Sequence, residues 1–123
     1  MVRAVLWQRA EGALIFAIGI ALFWRWSEAI PWWAALLIFF APDLSFFGYL
    51  LGPKVGACCY NAVHIYSFGA AVLAIGLTLP APPIAALGAL WLAHSGFDRM
   101  LGYGLKSQEG FSFTHLGQIG KKP

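Results

Sequence analysis

The stretch that decides the fold is "PIAALGALWLAHSGFDRMLGYGL", residues 83–105, which has the length and apolar content of a helix that crosses a membrane. His94, Asp98 and Arg99 interrupt this apolar run. His94 and Asp98 are four residues apart, so a helix places both on one face. A charged side chain exposed to lipid costs about 2.5–3.5 kcal/mol. The three ionisable residues therefore predict a polar site inside a helical bundle.

The composition of the whole chain is that of an integral membrane protein. Of its 123 residues, 60% are hydrophobic and 11% are charged, whereas soluble domains contain roughly 45–50% apolar and 25% charged residues. Four apolar segments have the length of spanning helices: about residues 10–26, 31–51, 55–79 and 83–105. The sequence thus predicts an all-α fold, with a four-helix transmembrane bundle over residues 1–106.

The basic residues predict the orientation of this bundle. If the chain crosses four times, one side collects Arg3, Arg9, Lys54, Lys106, Lys121 and Lys122. The other side has only Arg25, so the positive-inside rule places both termini in the cytoplasm. We expect residues 107–123 to form a cytoplasmic tail, anchored at the interface by Phe111 and Phe113. Because topology accounts for the net charge of +3, no nucleic-acid partner is predicted.

Polar residues from all four segments lie at a similar depth. Counting about 1.5 Å of rise per residue from the cytoplasmic ends, we place them about 9–16 Å into the membrane. They are Asp43, Asn61, His64, His94 and Asp98, and Glu11 begins the first helix on the same side. The outer half of the bundle is almost purely apolar. We expect the polar groups to face one another inside the bundle.

Two imidazoles with two carboxylates form a set of metal ligands. Histidine nitrogen combined with aspartate oxygen suits zinc, manganese or ferrous iron. The sequence predicts that His64 and His94 bind the metal, with Asp43 and Asp98 as the residues that complete the site. The alternative is a structural cluster, in which the same side chains pair with one another and fix the helix register.

Three further residues are candidates for chemistry at this site. Glu11 is a candidate general base, and Asn61 is a candidate contact to the substrate or to an oxyanion. His115 lies beyond the last segment, and a tail that folds back would bring it to the site.

Three phrases resemble one family. They are "APDLSFFGYLLGPKVGACCYNAVH" (41–64), "WLAHSGFDRMLGYGLK" (91–106) and "THLGQIG" (114–120). They closely resemble a family of small bacterial membrane proteins catalogued only as a domain of unknown function. The resemblance runs from about Arg9 to Gly120 and implies a short multi-pass protein of the bacterial inner (plasma) membrane. It implies no activity, cofactor or catalytic residue.

The sequence favours a metal-dependent hydrolase that acts on a lipid or amphiphile from the cytoplasmic leaflet. A second function is a proton- or cation-handling transporter or channel subunit, in which the two aspartates and two histidines bind or relay the ion. A third is an accessory or assembly subunit, with a tetrapyrrole on His64 or His94 as a minor variant. The predicted partner is the lipid bilayer. The alternative of a homo-oligomer is kept, because four helices leave little room for a substrate pocket.

Overall fold

The computed structural model describes residues 2–108 and 110–119, which are mainly helical. The described residues form five α-helices, one 3₁₀ helix and three short strands. Their bounds are α1 Val2–Arg25, α2 Trp32–Phe40, the 3₁₀ helix Ala41–Leu51, α3 Pro53–His64, α4 Tyr66–Thr78, α5 Pro82–Leu101, β1 Lys106–Ser107, β2 Gly110–Thr114 and β3 Gly117–Gln118. The first helix thus begins well before the predicted residue 10, and the third predicted segment is two helices.

The central helix is α5, which is buried along most of its length. On one side it packs antiparallel to α1: a Cβ on Gly12 would collide with the backbone at Gly96, and one on Gly19 would collide with Ala93. Small residues at such crossings let backbones approach closely, as helix packing in membranes favours. The N-terminal end of α1 and the C-terminal end of α5 therefore lie at the same end of the molecule.

On its other side, α5 packs antiparallel to α4. Gly69 lies against the backbone of Leu92, and Gly76 lies against that of Ala85. This pairing covers the N-terminal half of α5. What remains open beside its C-terminal half is filled by α3 and by the end of α2, and there the polar residues meet.

The outer surface of the bundle is apolar, and many large hydrophobic side chains of α1, α2 and the 3₁₀ helix are exposed. Among the described residues, two helices are long and apolar enough to cross a membrane, Arg3–Arg25 and Trp32–Leu51. The bent pair α3 and α4 makes a third if it forms one span. The remaining predicted span, α5, is not among them, because its polar residues lower its mean hydropathy. The chain is helical with two or three candidate spans.

The 3₁₀ helix and α3 form a hairpin about Gly52, whose φ of 108° suits glycine. The two helices pack tightly, since a Cβ on Gly48 would lie 2.9 Å from the Cβ of Cys59. Asp43 and His64 are both far from the turn along their own helices. The hairpin therefore places these two side chains beside each other.

A break at Ile65, whose backbone is extended, separates α3 from α4 by a bend of 46°. The last carbonyls of an α-helix have no helical donors. Two side chains of α5 replace them: the indole N–H of Trp91 donates to the Val63 carbonyl (2.8 Å), and Arg99 Nη2 donates to the His64 carbonyl (2.9 Å). The central helix thus caps the broken one.

The helix α5 ends four residues earlier than predicted, at Leu101. Gly102 adopts φ 94°, its N–H donates to the Arg99 carbonyl, and the Tyr103 N–H donates to the Asp98 carbonyl. These two bonds form a Schellman motif, for which glycine is the preferred residue. The cap turns the chain back toward the helix ends.

The tail contains a small antiparallel sheet in the order β1-β2-β3, which the sequence analysis did not predict. Lys106 pairs with Thr114, and Thr114 pairs with Gly117. The predicted anchoring by Phe111 and Phe113 concerns side chains that lie outside the described residues.

Candidate metal centre

The four residues predicted to bind a metal lie together in one group, Asp43, His64, His94 and Asp98. The Nε2 atoms of the two histidines are 3.3 Å apart. Asp43 Oδ1 lies 3.1 Å from His94 Nε2 and 3.3 Å from His64 Nε2. Asp98 Oδ2 lies 3.3 Å and 3.4 Å from the same two atoms. Ligand atoms from the four residues all lie within 4.8 Å of one another, so one ion fits among them.

Three different elements supply these residues. Asp43 lies in the first turn of the 3₁₀ helix, and His64 is the last residue of α3. His94 and Asp98 lie one turn apart on α5. The centre therefore exists only when the hairpin packs on the central helix.

The orientation of His64 follows from its other ring nitrogen. His64 Nδ1 lies 2.8 Å from the Tyr60 carbonyl oxygen, which can only accept, so Nδ1 carries the hydrogen. In the neutral ring, the lone pair on Nε2 then points into the group, as it does in histidines that bind metals. The Tyr60 ring stacks on the imidazole at 3.8 Å between centroids and keeps it in this orientation.

The ring of His94 is held by aromatic contacts. Phe39 and Phe40 meet it edge-on, with centroids 5.3 and 6.3 Å away. Its Nδ1 atom has no hydrogen-bond partner within the part of the chain that the structure describes. The only polar contacts of this buried ring among those residues are therefore made by Nε2, which faces the group.

This arrangement needs protons or a cation between its four polar atoms. Two carboxylate oxygens and two imidazole Nε2 atoms point at one small volume, and their lone pairs repel one another unless protons or a metal ion lie between them. A hydrogen on both Nε2 atoms would place two donors 3.3 Å apart. A single divalent ion would satisfy all four atoms at once.

The centre is closed on one side and open on the other. The side chains of His64 and His94 are at most 1% exposed, that of Asp98 is 11% exposed, and that of Asp43 is 49% exposed. A cavity of about 460 Å³ adjoins the carboxylates. Its lining residues are Asp43, Phe46, Tyr60, Asp98, Tyr103, Lys106 and Ile119. The histidines form the buried wall of the site, and the carboxylates face the cavity.

Lys106 is a site residue that the sequence analysis assigned only to the cytoplasmic charge. Its side chain is buried, and its Nζ atom lies 4.9 Å from the centroid of the Tyr60 ring. Burial lowers the pKa of Lys106 to about 8 and outweighs the Asp98 and Asp43 carboxylates, which raise it. The sequence spacing between Asp98 and Lys106 did not predict that both line one cavity. Gly102 ends the helix between these two residues, and the chain reverses there.

Asn61 was predicted to contact a substrate, and the structure places it against the tail. Its Nδ2 donates to the Lys106 carbonyl at 2.7 Å, and its Oδ1 accepts from the Lys106 N–H at 2.6 Å. The amide thus pairs with β1 as a neighbouring strand would. In this position it anchors the backbone of Lys106.

The two other candidates lie outside the group of four. Glu11 is exposed on α1, and its predicted role as a general base stays a prediction. His115 is exposed, and its Nδ1 accepts from the Leu105 N–H at 2.9 Å. The tail folds back over the helix ends, as one alternative allowed, and it brings Ile119 rather than His115 to the cavity.

Comparison with curated proteins and with solved structures gave no significant match. A family model described as "Domain of unknown function (DUF4260)" matches residues 5–119. This match includes the three elements of the centre, which are the 3₁₀ helix, α3 and α5, and most of the tail. The chain therefore belongs to the DUF4260 family.

Proposed function

We propose that this protein is a membrane-embedded, metal-dependent hydrolase whose metal is bound by His64, His94, Asp43 and Asp98. The observation that carries the proposal is the set of distances between the ligand atoms. In a tetrahedral site with bonds of about 2.0–2.1 Å, ligand atoms are about 3.3–3.4 Å apart. Five of the six pairs here are separated by 3.1–3.4 Å. These distances favour zinc over manganese and iron, which prefer larger coordination numbers.

The openness of the site supports a catalytic rather than a structural metal. Four protein ligands fill a tetrahedral shell, so catalysis at this site requires a water molecule as a fifth ligand, an expansion that catalytic zinc sites make during reaction. Here the half-exposed Asp43 and the Asp98 carboxylate both line the cavity. When bound, zinc lowers the pKa of water and polarises carbonyl or phosphoryl groups. The reaction adds water across an ester or phosphoester bond, with the hydroxyl on the acyl or phosphoryl group and the proton on the leaving oxygen.

The walls of the cavity suit an amphiphile. Phe46 and Ile119 provide apolar surface beside the two carboxylates and Lys106. The centre also lies near the end of α5 that is shared with the start of α1, where Arg9 donates to the Met100 carbonyl. With the basic residues of this end in the cytoplasm, both termini are cytoplasmic, and the substrate comes from the inner leaflet of the bacterial inner membrane.

The buried residues of α5 do not favour a path for ions across the membrane. Between Ala85 and Ala93, its buried side chains are all alanine, glycine or leucine. The buried polar side chains of the described residues all lie at or beside the C-terminal half of α5. A relay across the membrane needs polar groups in both halves, so an enzyme site fits better than a transporter.

The test is the metal content of protein purified in detergent. We expect about one zinc ion per chain in the wild type and none in His94→Ala. The matched control is His115→Ala, which removes an imidazole outside the group and should keep the metal. Absence of metal from the wild type, or full metal in folded His94→Ala, would contradict the proposal.

The hydrolase assignment has its own test. An alkyl ester and an alkyl 4-nitrophenyl phosphodiester are offered to the protein in micelles. We expect a chelator to abolish product release and added zinc to restore it. If the zinc-loaded protein releases product from neither substrate, it binds a metal but is not the proposed hydrolase.

A further inference from the structure

One cationic residue, Lys106, is among the described residues that line the cavity beside the metal centre. The residue is only 4% exposed, its Nζ atom lies 4.9 Å from the centroid of the Tyr60 ring, and it lines the same cavity as Asp43 and Asp98. A buried ammonium group is costly unless anionic groups face it. The Asp98 and Asp43 carboxylates offset part of this cost, since both raise the pKa of Lys106.

The position of Lys106 is fixed by its own backbone. The Asn61 amide holds both its N–H and its carbonyl, at 2.6 and 2.7 Å. Pairing with Thr114 of β2 adds a second restraint. Lys106 is thus anchored from α3 and from the tail, which is the kind of support that functional side chains require.

The charges of the loaded site leave room for an anion. A divalent ion contributes +2, the carboxylates of Asp43 and Asp98 contribute −2, and Lys106 contributes +1, while the two histidines are neutral when they bind the metal. The sum is +1. One negative charge in the cavity would neutralise it.

We infer that Lys106 binds the phosphate group of an amphiphilic substrate and that the apolar cavity wall receives the first part of its chain. The inference rests on the proposed function, because the metal supplies two of the three positive charges. Lys106 is a point charge suited to a phosphate oxygen. Phe46, Tyr103 and Ile119 line the rest of the cavity and suit an alkyl chain. The same phosphate chemistry occurs in a lipid head group and in free phosphate.

The experiment measures binding of hexyl phosphate to zinc-loaded protein by calorimetry, with the zinc content of each sample determined in parallel. Hexanol tests the need for the charge, and inorganic phosphate tests the need for the chain. The variant is Lys106→Met. Its matched control is Lys54→Met, which removes a cation outside this cavity. Lys106→Arg tests rescue by charge.

We expect Lys106→Met to keep its zinc and bind hexyl phosphate about 10- to 100-fold more weakly, the range for loss of a charged hydrogen bond. Lys54→Met should bind like the wild type, Lys106→Arg should recover most of the affinity, and hexanol should not bind measurably. Unchanged affinity in zinc-loaded Lys106→Met would overturn the inference and leave the proposed function standing.

Two other results also overturn the inference. Loss of zinc from Lys106→Met would show that the lysine supports the metal centre rather than the substrate. Inorganic phosphate binding as tightly as hexyl phosphate would exclude an amphiphile. A wild type without zinc would instead remove the proposed function, and the inference with it.

Discussion

Arg99 is the residue on which the broken helix depends, and Arg99→Met tests this dependence. Its Nη2 donates to the buried carbonyl of His64 at 2.9 Å, and its Nη1 donates to the Tyr103 carbonyl at 3.2 Å. Methionine retains much of the side-chain volume but has no donor. The buried His64 carbonyl would then remain unpaired, immediately beside the His64 imidazole.

The size of the effect follows from the buried bond. A hydrogen bond from a charged donor contributes about 1.5–3 kcal/mol, and a buried carbonyl left unpaired costs about 1–3 kcal/mol. The gain from no longer burying a guanidinium group offsets part of this loss. We expect Arg99→Met to lower the free energy of unfolding by about 1–3 kcal/mol, measured by denaturation with sodium dodecyl sulfate in mixed micelles.

Zinc affinity is the second quantity to measure in the same variant. Loss of a group that orients a metal ligand typically weakens metal binding about 10- to 100-fold. We expect such a loss in Arg99→Met. The control is Arg25→Met, which removes the arginine at the C-terminal end of α1. It should change neither the free energy of unfolding nor the zinc affinity. Wild-type stability and zinc affinity in Arg99→Met would refute the reasoning that α5 caps the break.

Four further predictions concern three other contacts and the membrane topology. Trp91→Phe removes the bond to the Val63 carbonyl and should cost about 1 kcal/mol of stability, whereas an unchanged free energy of unfolding would show that water satisfies that carbonyl. Asn61→Ala should release β1, so that protease cuts after Gly102 faster while the zinc content stays at one per chain; equal cutting of both proteins would contradict this role. Gly96→Ala should destabilise the α1–α5 packing by about 1–3 kcal/mol through overpacking, and a neutral result would mean that the two backbones are further apart. Reporter fusions at residues 80 and 123 should report opposite sides of the membrane, and the same side for both would reject four crossings.

The grouping of Asp43, His64, His94 and Asp98 could be predicted from the sequence, because polar groups that face lipid are costly. The spacing of His94 and Asp98 places both on one face of a helix, and counting the rise per residue places Asp43 and His64 at similar depth. Ionisable groups at one depth in an apolar bundle must face inward. No tertiary information was needed for this step.

The break at Ile65 could not be predicted in the same way. Residues 55–79 contain no proline, and isoleucine does not interrupt a membrane helix by itself. The break is stabilised by Trp91 and Arg99, which are distant in sequence and reach the freed carbonyls only in the folded bundle. A local pattern carries no information on such donors.

The position of Lys106 and the structure of the tail depend on a turn whose direction the sequence leaves open. Gly102 predicts a helix end, but the return of the chain toward α3 depends on the fit of the Asn61 amide to the Lys106 backbone. The same hydrogen bonds explain why Asn61 anchors the tail. Its polarity and depth alone made it resemble a substrate contact.

The central claim is that His64, His94, Asp43 and Asp98 bind one metal ion in a near-tetrahedral site. X-ray absorption at the zinc edge of the purified, zinc-loaded protein tests it most directly, because it reports the ligand types and distances around the ion. We expect two imidazole nitrogens and two oxygens at about 2.0–2.2 Å, with one imidazole lost in His64→Ala. A shell without imidazole, or one that is identical in wild type and His64→Ala, would contradict it.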